Sequence, residues 1–271
     1  MPRTLKSLKT PLRYPGGKSK AVPKLLQYLP NLFQVKEFRE PFLGGGSVAL
    51  EITKRYPHID IWVNDLYEPL YNFWCELQHN GQELQDALLG IKSIYCNPDA
   101  ARCLFISSKE QINDSDLSNF DRAVAFYIVN KCSFSGLTES SSFSAQASES
   151  NFSTNGIERL TEYSEIIERW KITNLSYESM LCDDKNTFIY LDPPYDIKDN
   201  LYGKKGEMHK RFDHDKFAHD CDQHTCPMLI SYNSDQIIRD RFYEWTVGEF
   251  AHTYTMRSVG CYNIDQATRK E

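Results

Sequence analysis

Val35-Lys36-Glu37-Phe38, Pro41-Phe42-Leu43-Gly44-Gly45-Gly46-Ser47 and Ile59-Asp60-Ile61-Trp62-Val63-Asn64-Asp65 are successive pieces of one unit, and that unit decides the fold. The first piece reads as a short strand. The glycine run is followed by a helical stretch from Val48 to Tyr56, which Pro57 ends. Residues 59–63 alternate like a second strand, closed by Asn64-Asp65. Gly44 and Gly46 permit a tight turn and a close backbone approach. Asp65 lies 19 residues after Gly46, near the roughly 20-residue offset at which an acid meets ribose hydroxyls in nucleotide-binding βαβ units. The loop lacks the Gly-Lys-Ser/Thr ending of a triphosphate loop, and Leu50 stands where a pyrophosphate-binding loop has its third glycine. A nucleoside with a less charged tail fits better.

Asp192-Pro193-Pro194-Tyr195 follows the apolar run Phe188-Ile189-Tyr190-Leu191, a short buried strand by pattern. The prolines remove two donors and stiffen the turn. A carboxylate, exposed carbonyls and an aromatic face then stand at a strand's C-terminal end, where open α/β sheets bind ligands. A planar heterocycle with an exocyclic amine suits those groups. A proline-rich turn after a core strand is the other reading of this tetrapeptide alone.

The 271 residues, 41% of them hydrophobic, suffice for one large core, or a core with a smaller lobe. No apolar run approaches the roughly 20 residues of a membrane span, and the first residues lack a signal-peptide pattern. Eight cysteines without CxxC pairing read as reduced cytosolic thiols. Net charge is −6, yet no acid precedes Glu37, while Arg3, Lys6, Lys9, Arg13, Lys18, Lys20, Lys24 and Lys36 do. A second basic cluster is Lys204, Lys205, His209, Lys210 and Arg211. Such patches steer polyanions, or they are simply solvated arms.

Between the two units the pattern is mostly helical, as in Leu66 to Leu77, Gly81 to Ile94, Phe120 to Asn130 and residues 157–170. Ser133 to Thr154 is Ser-rich, with Phe134, Phe143 and Phe152 interspersed, too long for an ordinary connection. Phe143 and Phe152 either contact a partner or cover this segment. Further strands are expected at Ile172 to Ser176, Met228 to Tyr232 and Trp245 to Phe250, a helix from Phe217, and a polar flap over 196–215. His219, Cys221, His224 and Cys226 are a tempting metal quartet, but their spacing matches no common zinc pattern. Asp183-Asp184 reads as a loop.

Taken together, the motifs resemble the Dam-type DNA adenine-N6 methyltransferases (D12 class, alpha group), over nearly the whole chain. Arg13-Tyr14-Pro15-Gly16-Gly17-Lys18 is similar to that family's N-terminal motif, Pro41 to Ser47 to its glycine loop, Asn64-Asp65 to its ribose-binding acid, and Asp192 to Tyr195 to its catalytic motif. The order of motifs is also the family's. The resemblance implies a Rossmann-like methyltransferase sheet in residues 1–69 and 165–271, with a mostly helical target-recognition insert over 70–164. It implies S-adenosylmethionine as methyl donor, no metal, duplex DNA as partner, and a cytoplasmic, DNA-associated monomer or weak dimer without a membrane.

The site residues it implies are Tyr14, Gly16, Gly17, Lys18, Phe42, Gly44, Gly46, Ser47, Asp65 and Asp192 for the cofactor. Asp192, Pro193 and Tyr195 would be catalytic, and Arg13, Phe134, Leu137 and Glu139 would face DNA. Phe134 is otherwise ordinary core. Where GATC-specific relatives carry an arginine two residues beyond the leucine, this chain has Glu139, which cannot read guanine O6 and N7 but can accept from cytosine N4. The usual target therefore does not carry over. Relatives also continue into a final apolar strand, whereas this chain stops at Arg269-Lys270-Glu271, a shortened or naturally short end. The rivals are an amino methyltransferase acting on cytosine N4, RNA adenine or protein glutamine, and a catalytically dead DNA-binding subunit.

Overall fold

Strand β4 (Thr187–Leu191) is buried along its whole length, because protein covers both faces of the sheet at its centre. The computed structural model describes residues 9–14, 17–134, 136, 141–195, 212–252 and 269–270. Around β4, strands β1 (Glu37–Glu40), β2 (Asp60–Asn64), β3 (Lys171–Thr173) and β5 (Met228–Ile230) form a five-stranded sheet of order β3-β2-β1-β4-β5. Every pairing in it is parallel. The chain runs outward from β1 through β2 to β3, then returns to the other side of β1 for β4 and β5. The order therefore reverses between β1 and β4, the place where such sheets open a crevice beyond their C-terminal ends.

Alternation along β4 separates two cores. Phe188 and Tyr190 join the larger one with Phe38 of β1; the Phe38 and Phe188 rings stack 6.3 Å apart. Ile189 and Leu191 point the other way, into a cluster closed by Phe217 and Cys221 of helix His214–Asp222 and by Ile238 of helix Gln236–Arg241. Helix α1 (Val22–Leu25) and helix α2 (Ser47–Arg55) belong to the larger core.

All the remaining long helices lie between β2 and β3. They are α3 (Glu68–His79), α4 (Gly81–Ile94), α5 (Pro98–Gln111) and α6 (Asn119–Cys132), followed by the shorter α7 (Ala145–Ser150), α8 (Thr154–Ile157) and α9 (Leu160–Ile167). Ten consecutive residues of α6, Ala123 to Cys132, are buried, as befits the central helix of a layer. Its start is set by Ser118, whose hydroxyl accepts from Asp121 N and donates to the Asp121 carboxylate. Positions 70 and 164 fall inside α3 and α9, and both helices share the larger core with the sheet.

The structure differs from the sequence expectations in several places. Helix α5 stands as an element of its own inside the stretch expected only to be mostly helical; Asn97 caps it by accepting from Ala100 N, and Pro98 occupies its first turn. Trp245 to Phe250 is not a strand. Its side chains anchor it instead: Trp245 Nε1 donates to Asp222, and the Phe250 ring stacks on Tyr28. Gly248 lies so close to the Tyr28 ring that a Cβ there would come within 2.3 Å. The antiparallel pair that follows joins β6 (Ala251–His252) to β7 (Arg269–Lys270). Phe152 is fully buried and Phe143 packs on Phe105, so both cover the helical layer. Residues 196–211, with the basic cluster and most of the expected flap, lie outside the described residues. Among the described residues no helix is long and apolar enough to cross a membrane, and no three His, Cys, Asp or Glu side chains form a metal-holding group.

Candidate active site

The C-terminal ends of β1, β2 and β4 each deliver a carboxylate to the crevice: Glu40, Asp65 and Asp192. A 3-10 helix at Lys18–Lys20 adds an ammonium. Gly17 makes the preceding turn possible, since its N–H donates to Tyr14 O at 2.9 Å and a Cβ there would sit 2.9 Å from that oxygen. Lys18, only 4% exposed, places Nζ 3.0 Å from Asp192 Oδ1 and donates to the Tyr195 hydroxyl at 2.6 Å. Its ammonium also lies 4.7 Å from the centre of the Tyr195 ring. The N-terminal motif and the strand-end tetrapeptide, 174 residues apart from Lys18 to Asp192, thus meet at one ammonium.

The glycine loop is bedded between two aromatic rings. Gly44 and Gly46 have φ of 50° and 68°, a region that favours glycine. A Cβ on Gly44 would come within 2.8 Å of Tyr14 Cε1, and one on Gly46 within 2.9 Å of Trp74 Cζ2. The close approach that these glycines permit is therefore, in this structure, made by the protein's own rings. Trp74 Nε1 donates to Gly44 O at 3.1 Å, and Ser47 Oγ lies 2.8 Å from Ser19 Oγ. Gly44→Ala is expected to cost about 1–3 kcal/mol and to displace Tyr14, seen as a lower melting temperature together with weaker cofactor binding in calorimetry.

Asp65 holds this loop from beside it. Its Oδ2 accepts from Gly44 N at 2.8 Å and its Oδ1 from Tyr67 N at 3.0 Å. Burial pushes its carboxyl up to about 6, against the pull of those two N–H groups. Neighbouring Asn64 ties strand ends together, donating to Pro41 O and Leu175 O and accepting from Leu175 N.

Glu40 is a residue that sequence reasoning missed. It is buried, and its Oε2 accepts from Ala49 N at 2.8 Å. Gly46 at the N-cap of α2 has no side chain to offer, so a carboxylate from the neighbouring strand satisfies the helix's first turn. Burial pushes the Glu40 carboxyl well above the ordinary range, and Asp192 and Asp65 push it the same way. An acid immediately before Pro41 was the available signal.

Phe42 turns to the other side of the sheet, stacking 5.7 Å from Tyr177 and meeting Phe212 and Phe217 edge-on. Tyr195 stacks on Tyr232 with centroids 5.9 Å apart, and the Tyr232 hydroxyl lies 2.7 Å from His214 Nδ1. Pro193 is buried. Tyr232 was not singled out in the sequence, because it follows its strand as an ordinary core aromatic would.

Of the residues expected to face a polyanion, Phe134 is 51% exposed. It lies in a short antiparallel hairpin pairing around Ser133 and Phe143, in which Phe134 N donates to Ser142 O and Ser144 N to Cys132 O. Arg13 bonds this hairpin, its Nη1 donating to Ser133 O at 2.5 Å and its Nη2 to Phe134 O at 3.0 Å. Leu12 beside it is buried, so the arm is packed from Leu12 through Tyr14. Gly16, Leu137 and Glu139 lie outside the described residues.

A family model described as D12 class N6 adenine-specific DNA methyltransferase matches residues 14–256. The chain belongs to this family. Membership makes it an adenine-specific DNA methyltransferase by class, with the parallel α/β sheet described above. Among curated proteins it is similar to the Type II methyltransferase M.MjaIII of Methanocaldococcus jannaschii, 22% identical over 198 residues that cover 68% of each chain. It is also similar to a DNA adenine methylase of Vibrio cholerae, 27% identical over 189 residues, 68% of this chain and 64% of that one. The DNA N-6-adenine-methyltransferase of Escherichia phage P1 is 25% identical over 201 residues, which span 70% of this chain but 24% of the phage protein.

Proposed function

We propose that this chain methylates the exocyclic N6 of an adenine turned out of duplex DNA, in the crevice between β1 and β4. The observation that carries the reading is the meeting of Asp192 and Tyr195 at the Lys18 ammonium, beside the glycine loop and its acid. S-adenosylmethionine, the donor the family implies, supplies a methyl group on a positively charged sulfur. The residues present suit it. Asp65 offers a carboxylate beside the glycine loop for the ribose, Tyr14 covers Gly44 of that loop, Ser47 follows it, and Lys18 brings a cation toward a carboxylate tail, while Phe42 packs on the other side of the sheet.

Adenine N6 is a weak nucleophile because its lone pair is delocalised into the ring. The Asp192 carboxylate and the Pro193 carbonyl accept its two hydrogens and favour a pyramidal nitrogen. One N–C bond forms as the carbon–sulfur bond breaks, with the electron pair leaving on sulfur. The extra proton departs afterwards to Asp192 or to water, so no strong base is needed. Tyr195 supplies the stacking face, itself held by Lys18 and Tyr232. The protein's work is alignment and fixed polar groups rather than acid–base power.

Residues 70–164 serve as the target-recognition insert in this reading, with 1–69 and 165–271 as the catalytic domain. Extruding a paired base costs a few kcal/mol. An exposed ring whose backbone is tied to Arg13 supports Phe134 as the wedge, with Leu137 and Glu139 read as its DNA-facing partners from the sequence. Phe134→Ala is expected to leave stability within about 0.5 kcal/mol, while fluorescence of 2-aminopurine at the target position falls about tenfold. Unchanged fluorescence would remove Phe134 from this role.

The test of the whole reading is to incubate the protein with labelled S-adenosylmethionine and mixed-sequence duplex DNA, then to map the modified bases by sequencing. Label on adenine N6 in one sequence context is the expected result. Label on cytosine N4, RNA or protein, or DNA binding without transfer, would overturn it.

A further inference from the structure

Asn130 sits near the end of α6, 1% exposed, and its side chain does no work for its own helix. Its Oδ1 accepts from Arg13 N at 2.9 Å, and its Nδ2 donates to Arg13 O at 2.6 Å and to Gly136 O at 3.1 Å. It therefore satisfies both backbone groups of Arg13, as a neighbouring strand would, and at the same time holds the hairpin. Ser133 closes the knot: its Oγ donates to Asn130 O and accepts from Gly136 N. Gly136 has a φ of 78°, and a Cβ there would lie 2.6 Å from Arg13 O. The Arg13 guanidinium adds its two bonds to Ser133 O and Phe134 O.

The position of this clasp matters more than its strength. One residue beyond Arg13, the Tyr14 ring lies on Gly44 and its Cβ against Gly45. Five residues beyond it, Lys18 holds Asp192 and Tyr195. Four residues beyond Asn130 is the exposed ring of Phe134. Arg13 and Tyr14 thus connect the glycine loop to the hairpin, with Asn130 at the join.

We propose that Asn130 is a positioning residue that couples the two sites. Filling the crevice fixes Tyr14 and Lys18, and through the Arg13 backbone this orders the Phe134 hairpin for the DNA. Coupling of binding is reciprocal, so duplex DNA on the hairpin tightens the cofactor through the same clasp. The proposal rests on the reading of the crevice as the cofactor and base site.

Hydrogen–deuterium exchange tests it on the whole protein without knowledge of the target sequence. In the wild type, saturating S-adenosylmethionine is expected to slow exchange at the Phe134 and Ser144 amides about fivefold. In Asn130→Ala, with cofactor saturation verified by calorimetry, that slowing should be lost. If the wild type binds the cofactor and its hairpin amides do not respond, or if Asn130→Ala keeps the full response, the coupling is refuted while the proposed function stands. If the wild type binds no cofactor, both fall. Should Asn130→Ala fail to fold, Asn130→Asp keeps the acceptor for Arg13 N and removes the donor to Arg13 O and Gly136 O. It should at least halve the response, and a full response in that variant equally refutes the coupling.

Discussion

Asp192→Asn is expected to lower the single-turnover rate of methyl transfer by about a thousandfold, with DNA binding retained. The carboxylate is the charged acceptor at the end of β4 and has a buried ammonium beside it. Asparagine keeps the volume but exchanges one acceptor oxygen for an N–H2 group, which would face either the Lys18 ammonium or the substrate amine. Removing one partner of a buried ion pair also costs stability, about 3–5 kcal/mol where the charge is left uncompensated. Here the Tyr195 hydroxyl remains for Lys18, so the loss should be smaller. Rates are therefore to be measured well below the variant's melting temperature, alongside anisotropy of a bound duplex. Turnover above about a tenth of the wild-type rate would sink the assignment of Asp192.

Asp65→Ala should weaken cofactor binding by about ten- to a hundredfold, the worth of one or two hydrogen bonds to a charged acceptor. Calorimetry reads it directly, and an unchanged affinity would end the ribose assignment. The pH dependence separates this residue from others. The ionised carboxylate is the form that accepts from hydroxyls, so affinity should fall as pH drops through about 6. Stability of the free protein runs the other way. The folded carboxyl is raised by burial above its unfolded value of 3.8. Between those two pH values the folded state holds a proton that the unfolded chain has lost. Unfolding free energy therefore falls as pH rises across that window, by about 3 kcal/mol from this group, and levels off above it. Glu40 is raised by burial as well and contributes with the same sign. In Asp65→Ala both the acid-side loss of affinity and its share of the stability slope should vanish.

The cost of keeping these acids buried fits their place in the fold. Each is held by backbone N–H groups of the glycine loop or of α2, so the ionised crevice is assembled at the expense of stability and released for binding. A site that destabilises its own scaffold is a common arrangement in enzymes.

The strand, glycine loop, helix, strand and acid of residues 35–65 were legible from pattern, as were β4, β5 and most helices, because hydrophobic periodicity and backbone breakers act locally. The tetrapeptide at 192–195 became legible only together with the glycine loop, Asp65 and the N-terminal motif, because alone it reads equally as a proline-rich turn after a core strand. The strand expected at 245–250 failed because its apolar residues pack on Tyr28, Phe242 and Asp222, contacts more than 190 residues away in one case. Glu40, Tyr232 and Asn130 escaped for a related reason. A tyrosine after a strand and an asparagine in a buried helix carry no local mark of their partners, and the acid before Pro41 marks a strand end without showing that it reaches back to α2.

Sequence alone thus determined the class of fold, the nucleoside-type loop with its acid, and the family whose motifs these are. Only the tertiary structure decided which groups share an ammonium, which ring lies on the glycines, and which amide joins the N-terminal segment to the Phe134 hairpin. The division follows from physics. Propensity, turn chemistry and periodicity are written in neighbouring residues, whereas a hydrogen bond from Lys18 to Tyr195 or from Asn130 to Arg13 exists only once the crossovers of the sheet have brought distant stretches within 3 Å.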